Sequence, residues 1–121
     1  MNEAGTILNI IRLPRTLDEN ENVSAHSLLL DSGYFEAHEL VSEEAVCAAV
    51  REHPEYIQDW LSFSANKRTS GWYFQQTDRA HWEVGYVSAG GGSIDPMQYS
   101  DPAIACAAFI KKEAEDIRLE L

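Results

Sequence analysis

Gly71-Trp72-Tyr73-Phe74-Gln75-Gln76-Thr77-Asp78-Arg79-Ala80-His81-Trp82-Glu83-Val84-Gly85-Tyr86 is the stretch that decides the fold class. Trp72, Phe74 and Gln76 alternate with Tyr73, Gln75 and Thr77. After Asp78-Arg79, Trp82, Val84 and Tyr86 alternate with His81, Glu83 and Gly85. A period of two is that of a strand with one buried face. Two such runs about a short polar break read as an antiparallel hairpin, with Trp72, Phe74, Trp82 and Val84 facing the core. Two strands alone are marginal, so the hairpin must pack on helices or gain a strand.

Working outward, the period changes to that of helices. Ser42 is a good N-cap, and Glu43 and Glu44 complement the dipole of the helix it opens. Val41 and Val46 have the spacing of a hydrophobic staple, and Val46, Ala49 and Val50 form a stripe. His53-Pro54 ends that helix, and Pro54 opens another with Ile57, Trp60, Leu61 and Ser64 on one side. Ser24 to Leu30 reads as a short helix capped by Ser24 and broken by Asp31-Ser32-Gly33. Asp101-Pro102 starts a last helix reaching about Arg118. Its apolar face is Ala103, Cys106, Ala107, Phe109, Ile110, Ala114 and Ile117; Lys111, Lys112, Glu115, Asp116 and Arg118 cover the other. Thr6 to Leu13 is apolar and compatible with strand or helix, so it is a candidate third strand; Pro14 ends it. Asp18 to Asn22 reads as a turn, and Ala89 to Ser93 as a flexible loop.

The charge is lopsided. The chain has 20 acids, 9 bases and a net charge of −11 over 121 residues. Between Leu17 and Trp60 lie Asp18, Glu19, Glu21, Asp31, Glu36, Glu39, Glu43, Glu44, Glu52, Glu55 and Asp59, against the single base Arg51. Such a field repels nucleic acid and attracts a basic partner. With 45% hydrophobic residues, including three Trp, five Tyr and four Phe, the chain is able to bury a core rather than remain an acidic tail. A single domain over residues 1–121 is expected. There is no secretory leader pattern and no apolar run of membrane-spanning length, so a cytoplasmic protein is expected.

The chemistry-bearing residues are scattered. Gly90-Gly91-Gly92 lacks the Gly-Lys-Ser/Thr end of a phosphate loop. His26, His38, His53 and His81 lack paired metal-ligand spacing. His81-Trp82-Glu83 lacks the Pro-Cys-x-x-Cys partner of a deaminase. Cys47 and Cys106 sit among alanines and are expected to be buried, reduced thiols. Lys67 and Arg68 beside Trp72 read as a helix C-terminus and a turn rather than a single-strand binding site. The expectation is therefore no enzyme, no cofactor and no metal.

Two strings carry a resemblance: Trp60-Leu61-Ser62-Phe63-Ser64-Ala65-Asn66-Lys67-Arg68-Thr69-Ser70-Gly71-Trp72-Tyr73-Phe74, and Ala105-Cys106-Ala107-Ala108-Phe109-Ile110-Lys111-Lys112-Glu113. With its small, acidic, motif-free character, the chain resembles the immunity proteins of bacterial toxin–immunity systems, including contact-dependent growth inhibition. The resemblance implies binding to a cognate toxin domain, often a basic nuclease, and obstruction of its active site or substrate surface. It transfers no catalytic residue.

The resulting expectation is an α+β fold of three or four helices packed on a small antiparallel sheet containing the aromatic hairpin. The function that the resemblance implies is to neutralise a basic toxin domain, a nuclease in the family's manner, without touching nucleic acid or membrane. The partner-binding acids are Asp18, Glu19, Glu21, Asp31, Glu36, Glu39, Glu43, Glu44 and Asp59. Glu113, Glu115 and Asp116 on the last helix are the contrasting acids outside that surface. A small acidic regulatory or housekeeping domain without a toxin partner is the alternative.

Overall fold

A computed structural model describes residues 3–19, 23–66, 71–88, 90 and 92–119. Among them the elements run α1 (Glu3–Ile11), α2 (Leu13–Glu19), α3 (Ala25–Asp31), α4 (Tyr34–Ala37), α5 (Glu43–Glu52), α6 (Glu55–Asn66), β1 (Gly71–Asp78), β2 (His81–Val87), β3 (Ser93–Tyr99) and α7 (Pro102–Leu119). The class is α+β. The helix count of three or four is too low: seven helices accompany one antiparallel sheet of order β1-β2-β3. The excess comes from the N-terminal third, where short polar breaks divide one apolar region into four pieces.

The hairpin forms as its alternation requires. Phe74 pairs with Val84 and Trp72 with Tyr86. Phe74 and Val84 are buried, while Trp72 and Trp82 are half-buried against the same core. The third strand is not the N-terminal segment. Thr6 to Leu13 spans the end of α1 and the start of α2, and Pro14 lies in the first turn of α2, where a missing N–H costs little. Asp18 and Glu19 are helical rather than part of a turn. The added strand is β3, directly after the glycine-rich loop.

Caps and breaks follow local chemistry. The Ser24 and Ser42 hydroxyls accept from the backbone N–H groups of Ser27 and Ala45 at 3.0 and 3.1 Å. Gly33, at φ 92°, turns the chain between α3 and α4 in a conformation that other residues rarely adopt. The Asp101 carboxylate accepts from Ala103 N–H at 2.9 Å at the start of α7.

Helix α7 packs against the sheet and against α3, α5 and α6. Its buried residues are mainly small, so neighbouring backbones approach closely, and Phe109 fills the space they leave. That ring meets Trp60 and Phe63 edge-on and stacks on Phe74, with centroids 5.9, 6.4 and 5.8 Å away. Two buried hydrogen bonds lock α6 in place. Trp60 Nε1 donates to the Ile11 carbonyl at the end of α1 (2.9 Å), and Phe74 N–H donates to Ser64 Oγ (2.7 Å). The second bond covers part of the β1 edge, which would otherwise present an unpaired donor. Truncation of Phe109 to Ala is expected to cost about 3–5 kcal/mol, because it opens a void between three rings. Urea unfolding monitored by tryptophan fluorescence measures this, and a loss below about 1 kcal/mol would show that the junction is not tightly packed.

Candidate partner-binding surface

The described acids of the lopsided stretch sit on α2 to α6 and the turns between them, and none of these is on the sheet. Asp18 and Glu19 are exposed on α2, Asp31 at the end of α3, Glu36 on α4, Glu39 in the following turn, and Glu43 and Glu44 in the first turn of α5. Glu21 lies outside the described residues. Asp59 does not belong with the others. It is half-buried on α6, 3.0 Å from Arg15 Nε in an ion-pair contact without hydrogen-bond alignment, so its charge is largely answered inside the molecule.

Most bases near these acids are committed elsewhere; the exception is Arg12, exposed between α1 and α2, which lines a cleft of about 290 Å³ with Asp31 without forming an ion pair. Arg15 holds Asp59, and its guanidinium lies 4.8 Å from the Tyr56 ring centroid. Arg51 is bound to Asp101. Lys112 stands 5.1 Å from the Trp72 ring centroid and 3.9 Å from Glu43, its one partner in the exposed acidic group. Lys111 and Arg118 are drawn into a network on α7. Lys111 Nζ donates to Tyr34 Oη and to the His38 carbonyl, both at 2.8 Å. Tyr34 Oη donates to Glu115 Oε2, and Arg118 Nε and a terminal nitrogen grip the same carboxylate at 2.9 and 3.0 Å. Among the described residues, Asp18, Glu19, Asp31, Glu36 and Glu44 therefore stand in no ion pair. Exposed charges of one sign, unanswered locally, add to a common field beyond the surface.

The same network corrects the reading of the last helix. Glu113 is 4% exposed, because it falls on the buried side of α7 rather than its solvent face. Glu115 is a structural partner of Tyr34 and Arg118. Of the three contrasting acids, only Asp116 is a freely exposed charge. The Arg118 grip, with help from Tyr34 and Lys111, holds the Glu115 carboxyl down at about 2 against a burial penalty. Burial raises the Tyr34 hydroxyl and lowers the Lys111 ammonium.

The groups considered for catalysis are engaged in local structure. His81 Nδ1 lies 2.8 Å from Asp78 Oδ1 across the hairpin turn, and the His26 ring stands edge-on to Phe35. No group of three metal-ligating side chains occurs among the described residues. Both cysteines are free. Cys106 is buried as expected, but Cys47 is only half-buried. It faces a cleft of about 340 Å³ between α5 and α7, shared with Glu43, Glu44, Arg51 and Ile104. Burial raises both thiols above their ordinary range. Lys67, Arg68, Thr69 and Ser70 lie outside the described residues. No helix of the described residues is long and apolar enough to cross a membrane.

One arrangement was missed from sequence. On the outer face of the sheet the Glu83 carboxylate accepts from Tyr73 Oη (2.6 Å), Gln75 Nε2 (3.2 Å) and Gln98 Nε2, and Tyr73 Oη also meets Ser93 Oγ at 2.8 Å. Tyr73 lies across Gly85, its register partner; a Cβ there would come within 2.6 Å of the hydroxyl. The visible signal was an outward-facing Tyr opposite a Gly, both among polar neighbours. These contacts tie three strands together on an otherwise open face. They border a cleft of about 690 Å³ that α6 closes with Gln58, Leu61 and Ala65.

In comparisons with known proteins, no family model, no curated protein and no solved structure matches the chain.

Two outcomes follow from this geometry. Glu115 has a folded pKa of about 2, below its ordinary 4.5. Its stabilisation is present above the unfolded value and is lost as pH falls through the folded one. Urea midpoints of wild type and Glu115→Gln are expected to differ by a constant amount near neutrality and to converge as pH falls from 4.5 towards 2; a gap independent of pH would show that the carboxylate is unpaired in solution. Under native conditions a thiol reagent is expected to label Cys47 slowly and Cys106 only after unfolding. Equal labelling rates, read by mass spectrometry, would contradict the burial difference.

Proposed function

We propose that the chain is an immunity protein that binds and neutralises a basic toxin domain, a nuclease by charge complementarity, through the acidic surface of α2 to α5. The observation that carries this reading is the set of exposed carboxylates, Asp18, Glu19, Asp31, Glu36 and Glu44, that stand in no ion pair among the described residues, while Arg12 is the one nearby described base left uncommitted. A nucleic-acid-binding face is basic because it must meet phosphates. A carboxylate surface offers it the same sign of charge, so the chain competes with the nucleic acid for that face. Each exposed pair formed is worth less than about 1 kcal/mol. The field of the whole group acts mainly by speeding encounter and excluding partners of like charge. Asp59, already paired with Arg15, takes no part.

Growth rescue tests this. A basic toxin domain is expected to be encoded beside this gene; that domain is induced in a bacterium together with the chain, and a neighbourhood without one counts against the toxin reading. Wild type is expected to restore growth. Glu36→Lys with Glu44→Lys is expected to weaken protection strongly, whereas Glu55→Lys with Asp116→Lys, an equal change of charge at exposed positions on α6 and α7, is expected to preserve it. Equal protection by the two pairs would reduce the acids to a solvated face. Failure of the wild-type chain to protect would overturn the toxin reading itself.

A further inference from the structure

Strand β3 is where the sheet loses its cover. Met97 stands opposite Val84 and Ile94 opposite Tyr86, so both belong to the face that α7 covers over β1 and β2. Val84 is 1% exposed, yet Met97 is 55% and Ile94 49% exposed. Ile104, in the first turn of α7, is 44% exposed and opens onto the α5–α7 cleft beside Glu43, Glu44 and Cys47. Tyr99, next along β3 on the same face, lies close enough to Glu43 to feel its charge. A strip of large apolar side chains thus leaves the sheet and meets the acidic turn of α5.

The charge of the rim decides what fits. Arg51 is held by Asp101, and Lys112 lies between Glu43 and the Trp72 ring. Glu44 and Asp95 remain without an ion pair among the described residues, so the residual charge is negative. A second copy of the chain would bring the same rim and a further −11 against it, so self-association is opposed. A basic partner is favoured. The edge itself is unsuited to strand addition. Asp95 has φ 46°, the pairing slips between Val84 and Tyr86, and Pro96 has no N–H to donate. Contact must come through side chains.

We propose that Ile94, Met97 and Ile104 are the apolar anchors of a docking surface for a basic protein that presents bulky apolar side chains ringed by Lys or Arg. This deepens the reading above and rests on it: the acids on the helices steer the partner, and the strip holds it. Interfaces of this kind have an apolar centre and a polar rim, with a few central residues carrying most of the affinity.

The test needs no identified toxin. Random short peptides displayed on phage are selected on the full chain, and the enriched sequences are synthesised. The expected peptides combine Lys or Arg with Leu, Phe or Trp. Their affinity is expected to fall roughly tenfold or more for Ile94→Ser/Met97→Ser/Ile104→Ser, as loss of central anchors requires, while the thermal midpoint stays near wild type. Should the triple variant fail to fold, Met97→Lys alone is expected to weaken the same peptides. Enriched peptides without basic residues, or peptides indifferent to both variants, would overturn the proposal. So would sedimentation equilibrium showing a dimer that the triple variant dissolves, because the strip would then be covered by a second copy. Failure of growth rescue with success of this selection would remove the toxin and leave the docking surface standing.

Discussion

Phe109 is enclosed by Trp60, Phe63 and Phe74, and the arrangement of the other elements depends on that enclosure. It joins α7, α6 and the hairpin at one point. The alanines on either side of Phe109 let α5 and the sheet approach α7 from different directions. A helix buried around so much of its circumference leaves few positions for charge. The charges it keeps are consequently tied: Lys111, Glu115 and Arg118 in one network with Tyr34, and Lys112 between Trp72 and Glu43. The central packing and the lopsided surface are linked in this way. Apart from Lys112, which reaches Glu43, the bases drawn onto α7 to complete its contacts are held away from the acids of α2 to α5.

The two faces of the sheet differ for a related reason. On the inner face, α7 buries Phe74 and Val84 and stops short of the far side of β3, leaving Met97 and Ile94 in solvent. On the outer face α6 flanks only the β1 side across a cleft, and hydrogen bonding substitutes for packing over the rest. Glu83 gathers Tyr73, Gln75 and Gln98 from the neighbouring strands, and Gly85 exists because the Tyr73 ring needs its space. Three strands held by a polar cluster outside and one helix inside form a platform rigid enough to present β3 without closing its edge.

Local chemistry made much of this legible from sequence. The hairpin alternates over two runs, Ser24 and Ser42 cap the helices they precede, Gly33 breaks the chain where expected, and Asp101-Pro102 opens α7. The misses are positions decided by distant residues. The eight residues from Thr6 to Leu13, five of them apolar, carry no decisive period, and their helical state is fixed by packing and by the Trp60 bond to Ile11. β3 holds Asp95 and Pro96, poor strand formers, and exists because β2 offers it a partner. The burial of Glu113 and the half-exposure of Cys47 depend on which sides of α7 and α5 are covered. For the candidate surface, the acids were legible as residues, but the internal pairing of Asp59 was not, and neither was the apolar strip beside Glu43.

The central claim is that an unanswered acidic surface brings a basic partner to this protein. Stopped-flow association of the chain with the toxin domain from the growth assay, followed by tryptophan fluorescence over a range of ionic strength, tests it most directly. The account predicts an association rate that falls steeply as salt rises, with dissociation changing far less, because screening shortens the reach of the steering field and leaves the apolar contacts intact. An association rate unchanged by salt would contradict it.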